Sequence, residues 1–280
     1  MNLSKTPRIT FDSIDNSGFR NFLSRNFRDL AIYRYVLYNL IGNNLKARYR
    51  RSMFGFLWTL LNPIFTMSIL AVVFSTIYKV KFADFGVYLF SGILPWTLIS
   101  NSILHGSASI ITGEGYLKKV YVPKLVFPLI TVGVEGANFL FSLASLSIIA
   151  FFLGAKLYWG LLLLPLALSL TIFFVLGLIL TTSIVAVYFR DLIHILQIVF
   201  LGLFYLTPIV YKEEQFENNF LILIKSNPFY YFIELFHQII YEAKIPDQSL
   251  WLMCGIMAVT SLVVGLFIFS LKEKDVIYRL

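Results

Sequence analysis

Cysteine is almost missing from this chain. Cys254 is the only one in 280 residues, so no intramolecular disulfide can form and no oxidising compartment is implied. Charge is scarce too: Asp, Glu, Lys and Arg together make up 14%, where soluble domains carry about 25%. No G-x-x-x-x-G-K-S/T run occurs, which excludes nucleotide binding by a P-loop. There is no H-E-x-x-H, no cysteine cluster for a metal and no G-x-S-x-G of a serine hydrolase. No cofactor or metal is expected on the chain itself. The three histidines, His105, His194 and His237, are dispersed and read as packing or interface residues. The polar opening MNLSKTPRITFDSIDNSGF lacks the apolar core and cleavage site of a signal peptide, so none is expected. No internal repeat is evident, which argues against a carrier built from duplicated halves.

What the chain has instead is apolar sequence in long blocks, 58% of all residues. A bilayer core about 30 Å thick takes about 20 apolar residues in a helix. Six segments qualify: Phe56–Tyr78, Phe85–Ile111, Leu125–Ala155, Leu157–Phe189, Leu192–Tyr211 and Ser249–Leu271. None alternates as a barrel strand would, so all six read as helices, with Pro63, Pro95, Pro128, Pro165 and Pro208 as tolerable kinks. The expected fold is an all-α integral membrane protein of one domain. Residues 1–55 form a cytoplasmic N-terminal part, 56–271 the six-span region and 272–280 a cytoplasmic tail. With both ends inside, 17 of the 23 Lys and Arg residues fall on the cytoplasmic side, as the positive-inside rule requires. The net charge of +8 is thereby assigned to orientation in a membrane, not to nucleic acid.

Between the spans, Leu30–Arg51 reads as an amphipathic helix in the membrane interface, with Tyr33, Leu37, Leu40, Ile41 and Leu45 as its apolar stripe. Lys46, Arg48, Arg50 and Arg51 follow. They suit either an anchor beside anionic headgroups or a receiver for the diphosphate of a lipid-linked substrate. The cytoplasmic loop Thr112–Lys124, with Glu114, Tyr116, Leu117, Lys118 and Lys119, suits docking to a partner. Outside, Phe229, Phe232 and Phe236 mark one face of a helix over Phe229–Glu242, too short to span and therefore re-entrant or interfacial. It reads as a gate or as packing. Asp191 is placed to cap the fifth span. Glu135 is the one acid inside a span, a structural or a functional group. Trp96, Trp159, Tyr188, Tyr211 and Trp251 fit interfacial belts. Other aromatic residues could face a conduit: Trp58, Asn62 and Phe65 share a face of the first span, and Phe200 and Phe204, with Tyr205 beside them, that of the fifth.

Several runs in order carry a resemblance: KARYRRSMFGFLWTLLNPIF (Lys46–Phe65), GILPWTLISNSI (Gly92–Ile103), YLKKVYVPKLVFPL (Tyr116–Leu129), YFRDL (Tyr188–Leu192), FYLTPIVY (Phe204–Tyr211) and NPFYYFIELF (Asn227–Phe236). From about Asp29 to the last span the chain resembles the ABC-2 type polysaccharide export permeases, the membrane subunits that export O-antigen, teichoic acid or capsule. The resemblance implies a homodimer that carries a lipid-linked polysaccharide across the bacterial inner membrane. It implies two copies of a separate ATP-hydrolysing subunit, which would hold ATP and Mg, touching the N-terminal amphipathic helix and Gly113–Lys119. It also implies that the first and fifth spans line the pore and that the helices after the fifth form an external gate. The alternatives are an ABC-2 permease for another lipid-linked or drug-like cargo, and a membrane enzyme acting on sugars. The enzyme would have to use Glu213, Glu214 and Glu217, which lack a base or metal partner in the sequence.

Overall fold

The computed structural model describes residues 19–48, 52–119, 121–152, 158–213 and 218–280. Among them there are helices and connections and no strand. Helices α1 (Phe19–Ile32) and α2 (Arg34–Arg48) precede the first span, α3 (Trp58–Tyr78). There follow α4 (Phe82–Ser107), two single turns α5 (Ser109–Thr112) and α6 (Glu114–Leu117), then α7 (Val126–Phe152), α8 (Leu164–Tyr188) and α9 (Leu192–Leu206). Helices α10 (Asn218–Ser226) and α11 (Pro228–Phe236) lead through a π-helical turn, His237–Tyr241, to α12 (Gln248–Lys272). Among the described residues, five helices are long and apolar enough to cross a membrane: α3, α4, α7, α8 with the turn before it, and α12. The fifth expected span is shorter. Its helix stops at Leu206, because Pro208 cannot continue the ladder, and Thr207–Tyr211 is not helical.

Helix α4 is the hub. From Phe85 to Ser107 its residues are buried apart from Val87, Thr97, Asn101, Leu104 and His105, and it packs against α3, α7, α8, α9 and α11. A three-residue connection, with Lys79 in the left-handed region (φ 55°) and Val80 N–H bonded to the Ser75 carbonyl at 3.1 Å, folds α4 back along α3. The tightest pairing is α8 on α12. A Cβ on Gly177 would overlap the Ser261 carbonyl, and one on Gly265 would overlap the Gly177 oxygen. Lipid tails are as apolar as leucine, so helices in a bilayer gain by close backbone approach, which small residues permit. Ser261 Oγ adds a hydrogen bond to the Phe174 carbonyl across this crossing at 2.8 Å.

The interface helix differs from the sequence expectation. Two helices meet at Tyr33, and the one-sided apolar pattern belongs to α1, where Phe19, Phe22, Leu23 and Phe27 recur at three- and four-residue spacing. Phe22 lies against Phe269 of α12 and Phe19 against Phe267. In α2 the stripe is broken by Asn43, Asn44 and Lys46, and this helix packs on α7, where Ile41 would touch a Cβ on Gly133 at 2.5 Å. The second span also ends earlier than expected, at Ser107, with α5 after the break at Ala108.

Candidate functional site

The conduit candidates separate into two groups. On α3, Asn62 and Phe65 are exposed and Trp58 is half-buried, edge-on to Phe54. On α9, Tyr205 is 62% exposed, with Phe204 half-buried beside it. Phe200 is a correction. It is buried against Trp96 and Phe229 at 5.9 and 5.6 Å between ring centres. Phe200, Leu203, Phe204 and Thr207 form the inward stripe of α9, and Ile198, Leu201 and Tyr205 face out. The shared face of Phe200 and Phe204 is legible in the sequence; its direction is not. Trp96 likewise sits in the core, 5% exposed, and not in an interfacial belt.

The end of the bundle where α4 begins and α9 ends carries a polar network with no sequence signal. His237, in the π-turn, stacks on Tyr88 of α4 at 4.5 Å and 7° between planes. Its Nε2 lies 3.2 Å from the Pro208 carbonyl, which only accepts, so Nε2 carries the proton. Its Nδ1 lies 2.7 Å from Ser91 Oγ. The Tyr88 hydroxyl donates to the Tyr211 carbonyl at 2.5 Å, with the Pro208 carbonyl also in reach at 3.2 Å. Gly92 makes room for the imidazole: a Cβ there would meet the ring at 2.9 Å. Asn227 caps α11 through its Oδ1, accepting from Phe229 N–H at 3.0 Å, and its Nδ2 donates to Thr207 Oγ1 at 2.9 Å. Lys212 donates to the Tyr241 hydroxyl at 3.0 Å, and Tyr230 to Glu213 Oε2 at 2.9 Å. Glu214 and Glu217 lie outside the described residues. Non-helical backbone at membrane depth is tolerated only where protein satisfies it, and His237 and Tyr88 do so for the Pro208 and Tyr211 carbonyls.

The gate-helix candidates Phe229, Phe232 and Phe236 are all buried. Phe232 stacks on Phe174 at 4.4 Å, and Phe236 meets Phe139 edge-on. Their face anchors α11 into the bundle, while Glu234, whose carboxyl burial pushes up, accepts from Gln238 Nε2 at 2.6 Å. Helix α10 before it has no clear sequence signal.

At the α4–α7 connection, α6 presents Tyr116, 55% exposed, and Lys118, which pairs with Glu114 at 2.5 Å and holds that carboxyl below the usual range. Lys119 is exposed, and Leu117 packs into an inner apolar cluster. Gly113 lets this turn close on Phe127. Nearby, Lys124 donates to the Glu273 carbonyl and Arg25 pairs with the Glu273 carboxylate at 3.1 Å, joining α1, the loop before α7 and the end of α12. Burial pushes the Lys124 amine down. Of the basic cluster, Lys46 and Arg48 end α2, whereas Arg50 and Arg51 lie outside the described residues. Asp191 stands at the start of α9 but its side chain accepts no helix N–H. The backbone carbonyl does, from His194 and Ile195 at 3.0 Å. Glu135 is 4% exposed and not solitary: His105 Nδ1 lies 3.1 Å from one carboxylate oxygen, and Asn138 Nδ2 donates to the other at 3.0 Å.

The described residues thus form a bundle of long apolar helices, with the short turn α6 beside it and α11 held into it by buried aromatic residues. The ABC-2 type transporter family model matches residues 35–241, and the chain belongs to that family. It is 30% identical over 250 residues to the O-antigen export system permease protein RfbA of Myxococcus xanthus, covering 89% of this chain and 96% of that one. Two proteins of that name from Klebsiella pneumoniae are 30% and 29% identical over 201 residues, each covering 70% of this chain and 76% of the relative. The chain is thus a multi-pass membrane protein of a transporter family.

Proposed function

We propose that this chain is the membrane subunit of an ATP-driven exporter that moves a lipid-linked polysaccharide of the O-antigen kind across the bacterial inner membrane. The observation that carries the reading is the similarity to an O-antigen export permease along 96% of that protein's length. The working unit is a homodimer with two ATP-hydrolysing subunits below, docked on the turn around Glu114–Lys119. ATP and Mg belong to those subunits. Both chain ends are cytoplasmic and α9 supplies the sixth crossing. Its 15 helical residues reach only about 22 Å, short of the roughly 30 Å of hydrocarbon. The chain continues from its end through the bends at Thr207–Tyr211. The re-entrant α10–α11 with its π-turn is the outer gate. Trp58, Phe65 and Tyr205 contribute aromatic faces to the conduit, suited to the C–H surfaces of sugars.

The test is deletion of the gene, with staining of the surface glycan, and co-purification of the tagged chain with an ATPase. Loss of surface glycan with lipid-linked glycan accumulating inside is expected. An unaltered surface would assign the permease to another lipid-linked cargo. Glycan movement by the reconstituted chain alone, without ATP, would remove the reading altogether.

A further inference from the structure

Helix α4 has one open lane in its inner half, and that lane is polar. Thr97 and His105 are exposed and Asn101 is half-buried, at spacings of four residues, with Leu104 the one apolar member. The open side of α12 is the opposite: Leu252, Ile256, Val259, Val263 and Phe267 are exposed there, a surface that suits lipid. A polar lane at membrane depth fits a wet passage, because ionisable side chains in spans turn to the bundle interior or to water. His105 is moreover held. Glu135 of α7, itself only 4% exposed, bonds Nδ1, and Asn138 bonds Glu135 in turn. A buried carboxylate inside a membrane is costly unless paired. Here it fixes an imidazole whose side chain is 54% exposed and whose Nε2 makes no hydrogen bond among the described residues.

We infer that Thr97, Asn101 and His105 form a contact lane for the hydroxyl groups of the saccharide in transit, with Glu135 as the positioning residue of His105. The inference rests on the export reading and names the surface that reading leaves open. The three groups repeat about every 6 Å along the helix. Each donates or accepts a hydrogen bond, none by itself binds tightly, and several weak sites in series let a polar chain advance.

The experiment places single cysteines by Thr97→Cys, Asn101→Cys and, as a lipid-facing control, Val259→Cys, in the full transporter in isolated membranes. The native Cys254 is fully buried and serves as the background. The probe is a charged, membrane-impermeant methanethiosulfonate, which attacks thiolate. A thiol whose pKa hydrocarbon raises by about two loses about a hundredfold of its thiolate. Thr97→Cys and Asn101→Cys should therefore react about a hundredfold faster than Val259→Cys. With the ATPase inactivated, labelling should drop in membranes from glycan-making cells relative to membranes from cells blocked in the first glycosyl transfer. Rates as slow as Val259→Cys, equal labelling in the two membranes, or a disulfide joining two copies of the Asn101→Cys chain would each overturn the lane. His105→Leu and Glu135→Leu should slow export equally and the double variant no further, with assembly intact. Additive losses would overturn the positioning role. If the surface glycan survives deletion of the chain while the lane still labels, the export reading fails and the wet lane stands.

Discussion

The Pro208 carbonyl offers a sharp test of the outer network. It accepts from His237 Nε2–H at 3.2 Å, and the Tyr88 hydroxyl stands at the same distance while donating to Tyr211 at 2.5 Å. Removing the imidazole by His237→Leu leaves the hydroxyl free to turn to Pro208. Removing the hydroxyl by Tyr88→Phe leaves the imidazole in place. Each single variant thus forfeits a hydrogen bond, worth about 0.5–1.5 kcal/mol net, and His237→Leu loses in addition the one between Nδ1 and Ser91 Oγ, a loss common to both backgrounds. His237→Leu also loses the stacked ring pair, about 0.5–1.5 kcal/mol. In either single variant the half-buried Tyr211 carbonyl is the one that loses the Tyr88 donor, whereas the double variant also takes both donors from the buried Pro208 carbonyl, a penalty of about 1–3 kcal/mol that neither single variant carries. The ring-stacking loss is shared by both backgrounds, since the Tyr88→Phe variant presents the same ring face, and so it cancels from the cycle. Equilibrium unfolding of the purified transporter in mixed micelles reads the four stabilities. Amide exchange across residues 207–213 reads the local opening. The expected result is a double variant worse than the sum by about 1–3 kcal/mol, with faster exchange in that segment. Additivity within about 0.5 kcal/mol would show that the Pro208 carbonyl does not depend on these two donors, and the stapled segment would lose its explanation.

Gly177→Leu should push α8 from α12, since even a Cβ would overlap Ser261 backbone atoms. Overpacking and the strained Ser261–Phe174 bond predict a loss of about 2–4 kcal/mol by thermal unfolding in detergent, and a stable, normally assembled variant would refute the crossing. Phe200→Ala should cost about 3–5 kcal/mol as a buried aromatic, whereas Tyr205→Ala should leave stability within about 0.5 kcal/mol and lower export. The reverse pattern would put Phe200 on the conduit. Charge reversal of Lys118 and Lys119 together should leave the bundle folded and abolish co-purification with the ATPase. Normal ATPase stimulation in that variant would remove α6 from the docking surface.

The five longer spans are legible in the sequence because each is a long apolar block, with Glu135 the one Asp, Glu, Lys or Arg in the interior of any of them, and length alone decides such cases. The sixth is legible as hydropathy but not as geometry: Leu192–Tyr211 reads as one apolar run, and only Pro208 hints that the last five residues leave the helix. Buried networks are harder. Tyr88, Ser91, Pro208 and His237 are separated by up to 149 positions, and no periodicity links them. Glu135 stands out as an acid in a span, yet its partner His105, 30 residues away, looks like an isolated packing residue. The direction of Phe200 is hidden for a related reason. A helical stripe of aromatic residues suits a core face as well as a conduit face, and the choice depends on neighbours that only the fold supplies. The interface helix is easily placed too late in the chain, because its stripe Phe19–Phe27 lies among polar residues whose low hydropathy masks the pattern.

One helix, α4, joins the turn α6, the open lane and the network around His237. Tyr88 and Ser91 of α4 hold Pro208–Tyr211, Thr97, Asn101 and His105 form its open lane, and Ser107 leads into α5 at Ser109 and then α6 at Glu114. From Tyr88 to His105 is about 25 Å at 1.5 Å per residue. The helix is buried along most of that length, and Pro95 is the proline within it. At its inner end Gly106 lies on Ile179, where an added Cβ would come within 2.6 Å of the side chain, which limits sliding along α8. On the proposed docking, a push on α6 would therefore reach the outer network as a tilt or rotation of α4 about that contact. Rotation changes what the open lane faces and loosens the Tyr88 hydroxyl from Tyr211 in the same motion. Gate and passage would then be coupled through the side chains of one span, without any element that runs between them separately.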